Sequence, residues 1–389
     1  MSVNLMNADG ALKSAYLDVV IDHLNNSVNP FFAAIEHSTV DVVGKEVRKL
    51  VVNGFGGGVG AGTEDGALPL SRANTYTQFV APLKNLYGVI EISDKALRVS
   101  ENNAGAFVNL LNTEMQGLLS TSKANLSRML FGDGSGKLGV VGLVSGEDIM
   151  LGGVDMFTVG MCIDIINSRG EYIEKYRAAR VMSIDYENAS IRINVPILDQ
   201  DELNSATIYA HNAKDGELTG LAAIFDTNRT SLYGVDKSLA FMNPICKKNA
   251  GFLSEDLIQE TLDEIERNSG NVPNMIICSW GVRRKYIKMF SDFNRTLPMV
   301  ELANGVKTVS YNGIPMVVDR NCPYGTMYLL NTNDFVLHQL CDWEWLSGED
   351  GKILKQIPGK PVYTATLVKY AELICNQPNG QGVITGISE

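Results

Sequence analysis

No stretch of this 389-residue chain approaches the ~18–20 consecutive apolar residues that a membrane-spanning helix requires. The first residues, MSVNLMNADGALK, lack the basic segment and the apolar segment of a secretory signal, so no signal is expected. The cysteines occur singly, without any CxxC pair: Cys162, Cys246, Cys278, Cys322, Cys341 and Cys375. We therefore expect reduced thiols in the core of a protein made in a reducing cytoplasm.

Sequence patterns that carry catalytic or metal chemistry are also scarce. The four histidines are far apart, and none belongs to HxxxH, HExxH or a Cys/His ligand pair. The segment FGDGSGKL at Phe131–Leu138 lacks the first glycine and the hydroxyl residue of a phosphate-binding P-loop. Gly56, Gly58 and Ala61 fit a loose GxGxxA pattern, but TEDGALPLS, which follows, cannot start the required helix. The sequence thus predicts no catalytic residue, cofactor or metal, although histidine could still meet cysteine or serine in space.

Positive charge is in short supply as well. The chain has 33 Lys and Arg against 44 Asp and Glu, which gives a formal net charge of −11. General coating of nucleic acid by electrostatic attraction is therefore not expected, and any nucleic-acid role must be indirect. With 45% hydrophobic residues the chain can bury a core, and its length allows about two or three domains.

A glycine-rich segment stands out among the features that are present. Two stretches with strand propensity, Glu46–Val52 and Tyr76–Ile92, flank NGFGGGVGAGTEDGALPLS, which has nothing with which to build a core. This pattern predicts a long β-hairpin with a flexible tip, with a disordered surface loop as the alternative. Glu64-Asp65 on the tip is expected to be solvated charge. Between Lys45 and Arg98 there are seven basic and five acidic residues, so the hairpin is slightly positive and suited to lie across an identical neighbour.

Helical and strand periodicities organise the rest of the chain. Apolar residues at helical spacing predict an amphipathic helix over Ala8–Val28, ended by Asn29-Pro30, and a 28-residue helix over Ala104–Phe131. Alternating residues between 153 and 215 predict a small all-β subdomain. An α/β pattern follows, in which Ser254 caps a helix that Gly270 ends and Ser279 caps the next one. Trp343 and Trp345 fall on one side of a strand and are expected to pack in the core.

The order of these segments resembles that of the major capsid proteins of tailed bacteriophages, which have the Hong Kong 97-type fold. The matching blocks are Val42–Ile92, YGVIEISDKAL, LSRMLFGDGSGKLGVVGL and GIPMVVDRNCPYGTMYLLNTNDFVL. The resemblance in the order of segments extends over nearly the whole chain. The implied fold class is α+β, with an inserted small all-β subdomain. The implied parts are an N-terminal arm (1–41), an extended E-loop hairpin (42–92), a peripheral domain with the spine helix (93–152), an insertion domain (153–215), an axial domain (216–339), peripheral return strands (340–372) and a C-terminal axial strand (373–389).

The resemblance implies a structural protein without enzymatic activity. Its members self-assemble into pentamers and hexamers that form the icosahedral head around a double-stranded DNA genome. The implied partners are other copies of the chain, a portal protein, a separate scaffolding protein, DNA bound without sequence specificity and, as a further candidate, a decoration protein; no membrane is involved. The implied location is the virion, after synthesis in the bacterial host cytoplasm. Asn53–Ser71 contains no lysine, so covalent crosslinking at the tip is not expected. Six residues are predicted to contact neighbouring subunits: Arg48, Lys49, Phe55, Arg72, Lys84 and Arg98.

Two other functions remain open at this point. An encapsulin-type protein compartment would share the fold and would enclose protein instead of DNA. A soluble cytoplasmic enzyme of an unrecognised family would elute as a small oligomer, whereas a capsid protein would give capsomers or very large shells.

Overall fold

The computed structural model describes residues 29–95, 104–197, 200–292, 297–301, 307–348 and 353–389. The predicted helix over Ala8–Val28 and the predicted contact residue Arg98 lie outside these ranges. None of the helices described is both long enough and apolar enough to cross a membrane.

Five α-helices are described, and they are numbered in chain order. They are α1 (Pro30–Ala34), α2 (Ala104–Phe131), α3 (Leu221–Phe225), α4 (Glu255–Ser269) and α5 (Trp280–Asp292). Short 3-10 turns occupy Glu174–Tyr176, Asp201–Leu203, Ala240–Met242, Thr332–Asp334 and Pro378–Gly380.

The β-strands form three sheets, one closed barrel and one two-stranded pair. In chain order the strands are β1 (Glu36–Ser38), β2 (Val42–Val43), β3 (Glu46–Gly54), β4 (Thr75–Pro82), β5 (Lys84–Ser93), β6 (Lys137–Ser145), β7 (Asp148–Leu151), β8 (Cys162–Ile166), β9 (Ala179–Asp185), β10 (Ser190–Ile193), β11 (Thr207–Ala210), β12 (Ser231–Leu232), β13 (Val235–Asp236), β14 (Ile245–Lys247), β15 (Met275–Cys278), β16 (Met299–Glu301), β17 (Lys307–Tyr311), β18 (Ile314–Val318), β19 (Met327–Leu330), β20 (Phe335–Trp345), β21 (Lys355–Gln356), β22 (Val362–Cys375) and β23 (Gly382–Ile384).

The long helix α2 packs on a five-stranded sheet, which we call the peripheral sheet. Its strands run in the order β1-β20-β22-β21, and β5 pairs with β22 from Lys84↔Ala371 to Ser93↔Val362. The helix matches the predicted range Ala104–Phe131. It approaches β5 closely at Gly88, where a Cβ atom would lie 2.8 Å from Leu118 Cδ1. Trp343 and Trp345 on β20 are buried in the core, as predicted.

The axial sheet has seven strands in the order β14-β23-β19-β15-β18-β17-β16. One face packs against α4 and α5 through a cluster that includes Ile258, Ile265 and Tyr286. The other face contributes residues such as Ile277 and Leu330 to the core that also holds α2 and the peripheral sheet. The two sheets therefore share one continuous core.

The helix ends of the axial domain follow the local signals in the sequence. The Ser254 hydroxyl accepts a hydrogen bond from the Leu257 amide at 3.1 Å, which caps α4. Gly270 ends the helix in the left-handed region at φ 68°, a conformation that glycine adopts without steric cost. The strand β15 follows α4, and the helix predicted after Ser279 is α5.

The β-rich region is a closed six-stranded barrel with the strand order β10-β7-β6-β11-β8-β9. It has its own apolar cluster, in which Phe157, Ile163 and Tyr176 are fully buried. The predicted boundary at Gly153 shifts to Lys137, because β6 and β7 complete the barrel and do not join the peripheral sheet. Strand partners far away in the chain decide this boundary, and the glycine at 153 does not mark it.

Three further boundaries differ from the sequence-based division. The second arm of the hairpin ends at Pro82, and the next residues form β5, which pairs with β22 and not with β3. Pro30 begins α1, whose Phe31 and Phe32 are buried in the core, although the prediction placed them in the arm. The first residues of β20 pair with β22 in the peripheral sheet, so Phe335–Gln339 do not belong to the axial domain.

Gly220 offers a test of how α3 packs on the end of α2. A Cβ atom at this position would lie 2.4 Å from the Met129 carbonyl oxygen and 2.5 Å from that of Leu130. Since backbone atoms cannot yield as a side chain can, we expect Gly220→Ala to lower the free energy of unfolding by about 1–3 kcal/mol. Gly117→Ala in α2 is the control, because a Cβ atom there would meet nothing within 4 Å apart from the backbone of its own helix. This variant should raise the free energy of unfolding by about 0.5–1 kcal/mol. Urea denaturation of both variants measures the difference, and equal effects would contradict this packing.

Candidate functional site

The hairpin formed by β3 and β4 is anchored in the main core at its base. Val47, Phe79 and Ala81 are buried there. The Phe79 ring lies 5.4 Å from that of Tyr233, and the Val80 amide donates to the Tyr233 carbonyl at 2.9 Å. The stem therefore leaves the body from a fixed position.

Beyond Gly54 the hairpin carries no further strand, and we call residues 55–74 the tip. Every residue of the tip except Gly56 is exposed. Its large apolar side chains are almost completely open to solvent: Phe55 is 89% exposed, Val59 99%, Leu68 88% and Leu70 86%. Leu50 and Tyr76 extend this apolar surface onto the stem. A subunit gains nothing from such exposure by itself, and contiguous exposed apolar surface is typical of interaction sites.

The two sides of the tip run close together because glycine permits it. A Cβ atom on Gly56 would lie 2.1 Å from the Arg72 carbonyl oxygen. The Gly56 amide donates to Asn74 Oδ1 at 2.6 Å, and the Gly66 amide donates to the Thr63 carbonyl at 3.0 Å. The tip is thus a narrow ribbon closed by a turn, with no room for a core between its two sides.

The predicted contact residues occupy different surroundings. Arg48 is half-exposed and pairs with Glu46 on the same strand at 2.6 Å. Arg72 and Phe55 are exposed on the tip, and Lys49 is partly buried on the stem. Lys84 lies at the start of β5 and donates to the Asp215 carbonyl oxygen at 3.0 Å. Its amino group therefore has a partner within its own subunit, where the chain leaves the barrel.

A buried ion pair joins the segment that follows the barrel to the spine helix α2. Arg128 donates through both terminal nitrogens to the Glu217 carboxylate, and its Nη1 lies 2.9 Å from Glu217 Oε2. The two side chains are only 5% and 2% exposed. Arg128 also donates to Asn125 Oδ1, so Asn125 and Glu217 together fix the position of its guanidinium group. This contact fixes the segment that leads from the barrel back to the axial domain.

A second buried carboxyl lies nearby on β22. Glu372 is fully buried, and its Oε1 accepts hydrogen bonds from the Thr219 amide at 2.7 Å and the Leu373 amide at 3.0 Å. Its Oε2 has no hydrogen-bond partner among the described residues. Burial raises the pKa of this carboxyl to about 7, even though those amides and the nearby charge of Lys84 act to lower it.

The raised pKa of Glu372 predicts a pH dependence of stability. Its ordinary pKa is 4.5 and its folded pKa is about 7, so the folded state holds the proton more tightly over this interval. The contribution of this carboxyl to the free energy of unfolding should therefore fall as the pH rises from about 4.5 to about 7. Glu372→Gln should remove that fall and stabilise the protein at pH 8, as thermal unfolding across pH would show. The exposed Glu187→Gln is the control, and identical pH profiles for the two variants would contradict the assignment.

The glycine-rich segment FGDGSGKL and two of the histidines take part in contacts that hold the fold together. FGDGSGKL ends α2 and leads into β6, with Gly134 and Gly136 at φ 85° and 76°. His211 Nδ1 lies 2.8 Å from the buried Asp164 carboxylate, and His338 Nδ1 lies 2.9 Å from the Val40 carbonyl oxygen. The six cysteines are free thiols, but only Cys278, Cys322 and Cys375 are buried, whereas Cys162 is exposed and does not lie in the core as predicted. Within the described ranges, no group of three or more His, Cys, Asp or Glu side chains is placed to hold a metal ion.

The sequence-based list of contact residues missed most of the exposed apolar surface. It included Phe55 but not Val59, Leu68, Leu70 or Tyr76. The available signal was their position: large apolar residues inside a segment too rich in glycine to bury them. Apolar residues that cannot reach a core of their own must either stay in water or be covered by another molecule.

The chain resembles known proteins in its three-dimensional structure and not in its sequence. No protein-family model matches the chain, and no curated protein matches it by sequence. Among solved structures, a chain of the capsid asymmetric unit of cyanophage A-1(L) matches with a TM-score of 0.57 at 12% identity, covering 95% of this chain and 96% of that one. An encapsulin complex from Synechococcus elongatus PCC 7942 gives a TM-score of 0.48 at 12% identity, covering 95% of each chain. The capsid of a native GTA particle gives 0.46 at 10% identity, covering 90% of this chain and 88% of that one.

The assignment of the fold depends on the cyanophage capsid. The match extends over nearly the full length of both chains, which agrees with the end-to-end order of segments found in the sequence. The predicted resemblance is therefore confirmed at the level of the fold: this chain has the Hong Kong 97-type capsid fold.

Proposed function

We propose that this protein is a capsid shell subunit, the major capsid protein of a tailed phage. In this proposal it assembles into pentamers and hexamers that form an icosahedral head around double-stranded DNA. Its role is structural and not enzymatic. Its partners would be other copies of itself, a portal protein and a separate scaffolding protein, and it would be made in the host cytoplasm and reside in the virion.

The exposed tip of the hairpin is the observation that carries this proposal. Four large apolar side chains on the tip are between 86% and 99% exposed in the isolated subunit. An arm without its own core adds contact area between subunits and contributes nothing to the fold of one subunit alone. Contacts of modest energy, repeated over a shell, allow assembly to correct misplaced subunits.

Individual residues can be assigned to this contact on their exposure. Phe55 and Arg72 lie on the open tip, and Arg48 and Lys49 lie on the stem below it. We propose that these four residues contact a neighbouring subunit. Lys84 is a weaker candidate, because it already donates to the Asp215 carbonyl oxygen.

The charge of the chain agrees with a container for DNA. With a formal net charge of −11, the shell would repel the phosphate backbone and would not trap the genome on its inner wall. We therefore expect the packaged DNA to be held without sequence-specific contacts.

Size and content of the assembled particles test the function. Purified protein, viewed by negative-stain electron microscopy after size-exclusion chromatography, should form capsomers or closed shells. Particles from infected or induced cells should contain nuclease-resistant DNA. Shells that hold a protein cargo and no DNA would instead indicate an encapsulin-type compartment. A protein that remains a small oligomer under all conditions, including with a scaffolding protein, would contradict the proposal.

A further inference from the structure

Helices α4 and α5 lie side by side in one layer over the axial sheet. Ile258 and Leu262 of α4 share a buried cluster with Val282 and Tyr286 of α5. Tyr311 on β17 touches both helices: its ring centroid lies 6.5 Å from that of Tyr286, and its hydroxyl donates to Gln259 Oε1 at 2.9 Å. The outer surfaces of the two helices therefore belong to the same face of the subunit.

The two helices carry opposite charge. The 15 residues of α4 include six acidic side chains and one basic side chain. The 13 residues of α5 include four basic side chains and one acidic side chain. A concentration of positive charge on one helix is unexpected in a chain with a net charge of −11.

These charges form exposed lines on the two helix surfaces. Asp256, Glu260 and Asp263 are exposed and follow the spacing of one helix face. On α5, Arg284 and Lys288 are exposed one turn apart and continue a line that starts at Trp280, which is 49% exposed. A half-exposed tryptophan beside two cations is typical of the anchor residues of protein interfaces.

The ion pairs within the subunit do not join the two lines. The acidic residues Glu260 and Glu264 of α4 pair with Lys247 on β14, at 3.0 and 2.7 Å. Among the side chains that the structure describes, no acidic group lies within salt-bridge distance of Arg284 or Lys288. The positive charge of α5 is thus not neutralised by α4 of its own subunit.

The placement of the helices separates the charges across the axial sheet. Helix α4 contacts β14 and β23 at one edge and reaches β17 with its first turns, through Glu255 and Gln259, whereas α5 contacts β18 toward the other edge. If a second copy is rotated about an axis beside the sheet, its acidic helix α4 can lie against the basic helix α5 of the first copy. Such head-to-tail contacts use two different surfaces and close into rings when the rotation permits.

We propose that α4 of one subunit pairs with α5 of the next subunit around each capsomer ring, with acidic side chains against basic ones. The inference deepens the proposed shell function and rests on it. Asp256, Asp263 and their neighbours on α4 face Arg284 and Lys288, and Trp280 packs at the centre of the contact. Complementary charge of this kind sets the direction and the partner of an interface more than its raw affinity.

Two variants with opposite charge changes test the pairing. Asp263→Lys with Glu266→Lys places two basic side chains on the exposed surface of α4, and Arg284→Glu with Lys288→Glu places two acidic side chains on that of α5. All four residues are exposed, so the isolated subunits should unfold at nearly the wild-type temperature. Each variant alone should form capsomers about tenfold more weakly than the wild type, because every contact in its rings then places like charges together.

An equal mixture of the two variants should recover assembly. Alternating subunits restore an acidic-to-basic contact at every position of a hexamer, whereas a pentamer must retain one contact between like charges. Mass photometry should therefore find mixed hexamers in excess over mixed pentamers. Arg169→Glu with Lys175→Glu on the barrel gives the same change in net charge as the α5 variant, also at exposed positions, and should form capsomers by itself as well as the wild type does.

The outcomes separate this inference from the proposed function. If the wild type forms capsomers and either variant alone does so equally well, the pairing of α4 with α5 is wrong while the shell function stands. Failure of the mixture to recover assembly would also overturn the pairing. If the wild type itself forms no capsomer or shell, the proposed function fails first.

Discussion

A subunit in which residues 53–75 are replaced by Asn-Gly should fold normally and form no closed shells. Val52 and Tyr76 are cross-strand partners, so a two-residue turn can join them without changing the register of the stem. The removed tip has large apolar side chains that are 86% to 99% exposed, so its loss should leave the free energy of unfolding nearly unchanged. Electron microscopy of the assembled fraction, together with urea denaturation of the subunit, measures both parts of this expectation.

A less drastic variant separates loss of contact from loss of chain. Serine at Phe55, Val59, Leu68 and Leu70 keeps the length of the tip and removes its apolar surface. We expect the same loss of shells, because the contact energy comes mainly from covering these side chains. Shells as stable as the wild type, in either variant, would show that the tip makes no essential contact between subunits.

Arg128→Met should lower the free energy of unfolding by about 3–5 kcal/mol, since it leaves the buried Glu217 carboxylate without its partner. Both side chains of this pair are at most 5% exposed, so water cannot replace the lost contact. The double variant Arg128→Met with Glu217→Met should lose much less, because it removes the charges together. Chemical denaturation of the single and double variants measures the difference.

The pair between Arg48 and Glu46 is the control for this prediction. Its side chains are 50% and 26% exposed, and breaking an exposed pair costs only about 0–1 kcal/mol. Arg48→Met should therefore leave stability almost unchanged. Equal losses from Arg128→Met and Arg48→Met would contradict the structural role of the buried pair.

Local signals in the sequence were sufficient for the long helices α2, α4 and α5 and for the tip, whereas the short helices α1 and α3 were not predicted. The range of α2 follows from a stripe of apolar residues ended by glycines, and the ends of α4 follow from Ser254 and Gly270. The tip was predicted because a run of glycines cannot form a core, whatever the rest of the chain does. Each of these features depends on residues within a few positions of one another, which is the range that periodicity and capping report.

The partners of the strands and charges were decided by the tertiary structure. Nothing local distinguishes β5 from a continuation of the hairpin, yet it pairs with β22, whose residues lie far later in the chain. The barrel begins at Lys137 because β6 pairs with β7 and β11. Where the chain leaves the barrel, the Asp215 carbonyl oxygen accepts a hydrogen bond from Lys84. The range of α2, the ends of α4, the order of segments and the tip followed from local sequence signals alone. Pairing between distant strands depends on the whole core closing at once. It decided where each domain begins and which charged side chains remain exposed on the surface.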